Sequence, residues 1–435
     1  MTEPQTHVID YSGILVASLI KVNKSSITET DVVIVGAGLA GLRCAQLLSN
    51  SGMDVVIVEK SDRVGGRLSS FAVNDFIIDE GFQLINPSYP ELRDSKVLNG
   101  FDLRSYDSTL SFISKNNSYE LGDPRHHPIR AIKGLLNSPL GVSDSLALLK
   151  LFMSSNFKTS KQLINGVDES TLDGFKTAGI STKAVNDVLQ PFLRGTLLSN
   201  ELDTSFNFTK LLLKSFIKGR PGTHPRGIAA LPEALAALSP NVQIDFNSPV
   251  RSIRSHEVHT ENDSYHAKYV VVATDGSTAS SLTDAAESEW MTQTSWWWSL
   301  PKLSTSSGLR IDLDERLLSS ALDISSVAPE RSPSNKSLVA TPANNVAPTS
   351  QLEQTARESV ARTYGVSLTD VELLTTTYVT HALPKIRPPL RLTNDHSVNG
   401  VYLAGDYLET ASIQGAMKSG ARVAMLIAAK ELKNT

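Results

Sequence analysis

Three glycines stand within six residues in VVIVGAGLAGL: Gly36, Gly38 and Gly41, between a β-branched apolar run and a helix-like stretch. This spacing can seat the phosphates of a dinucleotide. The first glycine permits a sharp turn out of a strand, the second lets a pyrophosphate approach the backbone, and the third lets the helix lie close to the strand. The phosphates would rest on N–H groups at the helix start, where the dipole favours negative charge. An acid, Glu59, ends the next apolar run, VVIVE. A carboxylate there can accept both hydroxyls of an adenosine ribose, and it would repel a 2′-phosphate, which disfavours NADP.

The residues that follow separate two kinds of dinucleotide. Gly65, Gly66 and Arg67 come just beyond Glu59, in KSDRVGGR. A second glycine pair with a guanidinium offers more donors to a ligand whose long anionic middle runs past the first helix. FAD has that shape. Simple nicotinamide enzymes have no need of the added donors.

These residues need a strand, a helix and a second strand to hold them. Val32–Val35 has the all-apolar, β-branched character of a buried parallel strand. Leu39 to Ser51 reads as a helix stopped by Gly52, and Val55–Val58 as the second strand. The unit Asp31–Glu59 is therefore β-α-β, the building block of doubly wound sheets. From Pro128 to about Leu213 the spacing predicts a mostly helical insert, and Pro225–Pro240 a helix bracketed by prolines. Val242–Phe246, Val250–Ile253 and Tyr269–Val272 read as strands returning to the first sheet. Ser325–Ser350, rich in Ser, Pro and Asn, reads as loop, and Gln351–Tyr364 as a surface helix. A strand, a loop at Gly405–Asp406 and a long helix from about Ser412 close the chain.

Composition narrows the function classes. With 435 residues, two or three domains are expected. The net charge of −4 shows no basic stripe of the kind nucleic acid demands, so no nucleic-acid partner is expected. Cys44 is the only cysteine, which excludes internal disulfides and cysteine metal clusters; no metal is expected. A reducing, cytoplasmic setting is the default. Residues 1–30 read as an N-terminal extension. Its apolar run Gly13–Ile20 is far short of the ~20 residues that span a bilayer. Glu3 and Asp10 stand where a signal peptide would be positive. A membrane-surface anchor is the alternative reading, so peripheral membrane contact stays open.

The N-terminal stretch VVIVGAGLAGL…VVIVEKSDRVGGR resembles the flavin-containing amine oxidase superfamily, which also holds phytoene desaturase-like enzymes. FIIDEGFQLINPSYPEL and the closing VYLAGDYLETASIQGAMKSGARVA are similar to further segments of that family. PFLRGTLLSNELDTS and HPRGIAALPEAL resemble a bacterial subgroup of FAD-dependent oxidoreductases. The resemblance implies an α/β fold: a Rossmann-like FAD-binding domain of the glutathione-reductase/amine-oxidase type with an inserted α+β substrate domain. The FAD domain would comprise 31–105, 224–285 and 385–435, and the substrate domain 106–223 and 286–384. FAD would be noncovalent, since no cysteine lies near the closing segment for a thioether. Gly36, Gly38, Leu39, Ala40 and Gly41 would meet the pyrophosphate, Glu59 and Lys60 the adenosine side, and Gly65, Gly66 and Arg67 the central phosphate and ribityl region. Gly81, Phe82 and Gln83 would pass the isoalloxazine ring, and Val250 the adenine through its backbone. Gly405, Asp406, Ser412, Ile413 and Ala416 would hold the ribityl–phosphate side. The closing helix would aim its N-terminus at the ring's N1–C2=O edge, which favours reduced flavin.

The expected reaction is hydride transfer from an amine or related small molecule to the flavin N5. Two alternatives stay open: a desaturase or dehydrogenase of an isoprenoid, and a flavoprotein without net redox chemistry. Gln83 and Tyr407 are candidates to line the ring, and Lys302 and Lys385 to act through water. None stands out as catalytic. His224 and His381 read as structural. Trp290, Trp296, Trp297 and Trp298 read as core or domain packing, with an apolar substrate tunnel and a contact surface as the alternatives.

Overall fold

The computed structural model describes residues 27–434 apart from 117, 124, 255, 305, 306 and 393–395. The extension's run Gly13–Ile20 lies outside the described residues. The β-branched runs form strands as their character predicts: β1 is Ile27–Val35 and β2 is Val55–Val58, with helix α1, Leu39–Asn50, between them. β1 therefore begins inside the segment assigned to an extension ending at 30, because Ile27–Thr30 pair with Ser264–Ala267.

β1 lies in the middle of an eight-stranded sheet. On one side it pairs in parallel with β2, and β2 with Gln243–Asp245. On the other it pairs in parallel with Ser264–Val272, which pairs in turn with Val401–Leu403. The chain thus leaves β1 in both directions, and the loops after β1 and after Val272 part at a switch point. In doubly wound sheets that is where ligands bind. Val32 and Ile34 face a layer containing α1 and the closing helix, Ile413–Asn434. Val33 and Val35 face the opposite layer. Burial on both faces explains the uninterrupted apolar run, and each such side chain contributes roughly 1.5–3 kcal/mol.

Two glycines let backbones touch. A Cβ on Gly41 would lie 2.1 Å from the carbonyl oxygen of Gly36. A Cβ on Gly420 would lie 2.0 Å from that of Ala40, so the closing helix rests directly on α1. The last segment of the chain is thereby seated over the first.

A second body carries helices between Pro128 and Lys218, beside an antiparallel four-stranded sheet. The sheet runs Leu322–Asp323, Lys336–Asn344, Trp290–Pro301, Glu372–Pro384. The expected loop at Ser325–Ser350 is corrected here, since Lys336–Asn344 is a buried strand. Pro342 survives in it because the outer neighbour pairs only with Val339 and Ala340. Trp296 and Trp298 point to the side covered by the helix Ser350–Tyr364, and Trp297 to the other. All three are fully buried. The expected helix Pro225–Pro240 is shorter, Ala230–Ala237, and the strand expected at Val250–Ile253 is Ser252–Arg254. The helix expected on the surface buries Ala356 and Val360.

The two bodies share a buried ion pair. Arg331, inside the expected loop, sends Nη1 to Asp79 Oδ2 at 3.0 Å and to Thr223 Oγ1 at 3.1 Å. Its Nε donates to the carbonyl of Ile77 at 2.9 Å. The other Asp79 oxygen accepts from Ser70 Oγ at 2.7 Å and from the N–H of Ile228 at 2.9 Å. This holds the hairpin of Ser70–Val73 and Phe76–Asp79 that leads into Gly81. Arg331→Met leaves the carboxylate buried and unpaired, and urea unfolding should register a loss of about 3–5 kcal/mol. A loss below ~1 kcal/mol would show that the pair does not hold the hairpin.

Candidate functional site

Four strands of the parallel sheet end at one edge, and each delivers a polar or glycine-rich loop there. β1 ends at Gly36-Ala37-Gly38, β2 at Glu59, Ser264–Val272 at Ala273-Thr274-Asp275, and Val401–Leu403 at Ala404-Gly405-Asp406. The first and third loops touch. Gly36 has φ +104°, and a Cβ on it would lie 2.9 Å from the carbonyl oxygen of Ala273.

Gly38 differs. Its φ of −74° and ψ of 177° suit any residue. Beyond the residue itself and its two chain neighbours, no protein atom lies within 4 Å of the place its Cβ would take. Neither backbone strain nor protein crowding demands glycine here. The residue opens α1, which has no side-chain cap, and the first intrahelical donor is the N–H of Leu42. An uncapped helix start facing open space is a ready anion cradle. Ala40 and Gly41 lie in its first turn, and Leu39 is buried.

Glu59 is buried at the end of β2. One oxygen accepts from the N–H of Ala37 at 2.7 Å. The other accepts from the N–H of Ser61 at 2.9 Å and from its hydroxyl at 2.7 Å. A carboxylate offers about four lone-pair sites, so one stays open. A second opens if the Ser61 hydroxyl turns wholly to the carbonyl of Arg63, which it already reaches at 2.9 Å. Lys60 beside it is exposed. Val250 is half-buried in the adjoining apolar layer.

Arg67 reaches across to the far end of the chain. Its Nη2 meets Asp406 Oδ1 at 2.6 Å and its Nη1 meets Oδ2 at 2.9 Å, with a further bond from Nη1 to the carbonyl of Ala382 at 3.0 Å. The guanidinium also sits 5.3 Å from the Trp290 ring. Burial works against the charge on Arg67, but Asp406 and then Asp275 outweigh it and raise its pKa. Gly65 (φ +113°) donates to the carbonyl of Ala37 at 2.8 Å, and Gly66 has φ +57°. These left-handed turns lay the arginine segment against the first glycine loop. A side chain on Gly65 would also strike the carbonyl oxygen of Leu68, at 2.4 Å.

Gly81, Phe82 and Gln83 pass beneath the long strand of the second body. The N–H of Phe82 donates to Gln293 Oε1 at 2.8 Å, and Gln83 Nε2 donates to the carbonyl of Arg67 at 3.4 Å. At the closing segment, the Gly405 N–H donates to Ser419 Oγ at 3.0 Å. Ser412 caps its helix, its hydroxyl accepting from the Gly415 N–H at 3.1 Å and its carbonyl from the Ala416 N–H at 2.9 Å. Ile413 packs into the core under α1. Tyr407 lies against Gly405 and Gly276, and its buried hydroxyl has no protein partner.

Other candidates fall elsewhere. Lys302 is exposed, and Lys385 is paired with Asp203 at 2.8 Å. His224 packs on Phe101 and accepts the Arg226 N–H at 3.0 Å. His381, by contrast, stands at the crevice, 3.5 Å from Asp275 and 5.1 Å from Trp290 between ring centres. Burial opposes ionisation of Asp275, but donors from Thr278 and the nearby His381 keep its carboxyl below the usual range. Asp275 and Gln293 escaped the sequence reading. The signal for Asp275 was present in YVVVATDG, an apolar strand followed by Asp-Gly, since strand ends line the ligand edge. Gln293 carries no such signal. Among the described residues no group of three or more His, Cys, Asp or Glu side chains is placed to hold a metal ion.

The family model for flavin containing amine oxidoreductases matches residues 39–428. An L-amino-acid oxidase from Crotalus adamanteus is 26% identical over 289 residues, 59% of this chain and 53% of that one. A chloroplastic/mitochondrial protoporphyrinogen oxidase 2 of Arabidopsis thaliana is 28% identical over 165 residues, 38% of this chain and 32% of that one. The chain spans about half the length of the first of these relatives. In fold, it is similar to cyclohexylamine oxidase from Brevibacterium oxydans, with a TM-score of 0.70 at 16% identity over 93% of this chain and 99% of that one.

The open space at Gly38 yields a test of what fills it. Gly38→Val should leave the unfolding free energy within about 1 kcal/mol of the parent. The dinucleotide retained through purification should fall by at least about tenfold. Unchanged retention would show that no ligand phosphate approaches Gly38. Acid stability offers a second test. A depressed carboxylate stabilises fully above its unfolded pKa of about 4 and loses that contribution as pH falls through its folded value. Thr278→Ala should therefore move the acid unfolding midpoint, followed by circular dichroism, to higher pH.

Proposed function

The chain belongs to the flavin containing amine oxidoreductase family, and on that premise we propose that it is an FAD-dependent oxidoreductase that takes a hydride from an amine or related small organic substrate. The observation that carries this reading is the convergence of the opening and closing segments on one edge, where Gly65 bridges Gly38, and where Arg67, two residues on, pairs with Asp406. The family name speaks for a flavin. The residues fit one: an uncapped helix start for a diphosphate, a buried carboxylate with capacity for ribose hydroxyls, and two left-handed glycines beside a guanidinium.

In this reading the bound flavin supplies the hydride acceptor at N5. Gly36 to Gly41 hold the diphosphate on the backbone of α1. Glu59 orients the ribose, with Val250 beside the adenine. Arg67 screens the diphosphate from the Asp406 carboxylate. Gln293, held to the Phe82 backbone, fixes the strand that covers the ring. Tyr407 offers its unpaired hydroxyl, held protonated by burial and then by Asp406 and Asp275. Residues 31–105, 224–285 and 385–435 form the FAD-binding part, and residues 106–223 and 286–384 bound the substrate. Binding is noncovalent in this account, since Cys44 is fully buried within α1 and its thiol pKa is raised by that burial.

The amine reading draws on the family and on the L-amino-acid oxidase and cyclohexylamine oxidase relatives. The purified chain should release FAD on denaturation, and an anaerobic panel of amines and amino acids should bleach its absorbance with one class. Desaturation of an isoprenoid with no amine turning over would replace this reading. Glu59→Gln removes one charge without emptying the site, and dialysis should show FAD binding about 10- to 100-fold weaker. Full occupancy in Glu59→Gln and Glu59→Ala alike would remove Glu59 from the site.

A further inference from the structure

Two consecutive helices, Pro128–Asn137 and Val142–Phe157, turn apolar faces to solvent. On the second, Val142, Leu146, Leu149, Met153 and Phe157 follow the spacing of a single helical stripe. Their exposures run from 50% at Met153 to 80% at Val142 and Phe157. Ile129, Ile132 and Leu136 form a similar stripe on the first, exposed by 64–80%. The exposure is not a failure of packing. The opposite side of the second helix buries Leu151 among Phe175, Phe206 and Leu212. The first helix meets its neighbouring strand through Gly134, where a Cβ would lie 1.9 Å from the Glu120 carbonyl oxygen. Four residues join the helices.

The exposed charge carried by the two helices and their flanks is cationic, with Arg130 paired to Asp107 at 3.7 Å. Between Ile129 and Lys161 the cations are Arg130, Lys133, Lys150, Lys158 and Lys161. All are exposed. The only acid in that span, Asp144, is buried and accepts the Ser181 N–H at 2.7 Å and its hydroxyl at 2.9 Å. The whole chain is nonetheless at −4. A basic island with an apolar face is thus set in an acidic protein.

We propose that this helical pair docks the protein on an anionic lipid surface, the stripes entering the acyl boundary and the lysines meeting the headgroups. A helix with apolar and cationic faces lies in the interface plane. Neither helix can cross, since no described helix is long and apolar enough and Lys150 interrupts the longer one. A second copy is the poorer occupant, because a twofold contact sets the same patch, cations included, against itself. The proposal goes beyond the reading of the crevice and does not depend on it.

Flotation of the full chain with lipid vesicles tests it. Vesicles of phosphatidylcholine with roughly 30 mol % phosphatidylserine should carry the protein, and vesicles of phosphatidylcholine alone should carry several-fold less. Raised salt should weaken the binding. Leu146→Asp with Phe157→Asp should reduce bound protein at least about tenfold. Lys150→Glu with Lys158→Glu, at solvent-facing positions, should reduce it at least about fivefold. Circular dichroism and flavin content of both variants should match the parent. Equal binding to both vesicle types, or binding untouched by either variant, overturns the proposal. So does a concentration-dependent dimer that Leu146→Asp with Phe157→Asp disperses.

Discussion

The architecture turns on a contact between a guanidinium and a carboxylate that lie 339 positions apart in the chain. Asp406 is buried, and a lone carboxylate in that place would be strongly unfavourable. Arg67 meets both of its oxygens in a fork geometry that lysine cannot reproduce. The pair therefore demands that the second glycine loop and the closing segment face each other. The glycine contacts across α1 satisfy the same demand from behind, because Gly420 lets the last helix sit on the first at backbone distance.

That arrangement concentrates charge at one edge of an otherwise apolar layer. Strands buried on both faces cannot carry polar side chains along their length, so the polar residues collect where the strands stop. Glu59, Asp275 and Asp406 each stand at or just past a strand end. Arg67 arrives from outside the sheet and pairs with Asp406, and His381 stands 3.5 Å from Asp275. The second body then supplies the cover, with Gln293 on the strand that also carries three fully buried tryptophans. Its outer helices carry a different chemistry, apolar and basic, on the side away from the buried Leu151–Phe175 core.

Much of the sheet half was legible because its signals are local. Val32–Val35 and Val55–Val58 declare buried strands by composition, and Gly36, Gly38 and Gly41 declare a turn into a helix by spacing. The second half resisted reading for a physical reason. The strand Lys336–Asn344 mixes Leu338, Val339 and Ala340 with Ser, Thr, Pro and Asn, and its polar residues Ser337, Thr341 and Asn344 are buried because the tryptophan strand pairs along its whole length. Tertiary pairing overrode propensity there. The same holds for His381, whose neighbours Asp275 and Trp290 are distant in sequence.

By itself the amino-acid sequence determined the β-α-β unit, the glycine-lined helix start and the acid at the end of β2, because a few adjacent residues suffice to dictate each. It also set Val142, Leu146, Leu149, Met153 and Phe157 at the spacing of one helix face, while the tertiary structure decided that this face meets solvent. Only the tertiary structure decided that Arg67 belongs to Asp406, that the Phe82 backbone belongs to Gln293, and that Gly38, alone among Gly36, Gly38 and Gly41, has open space where a side chain would stand. Those facts depend on which distant surfaces are pressed together. Backbone contact at Gly41 and Gly420, the buried Arg331–Asp79 pair and the two-sided burial of the parallel strands set that choice.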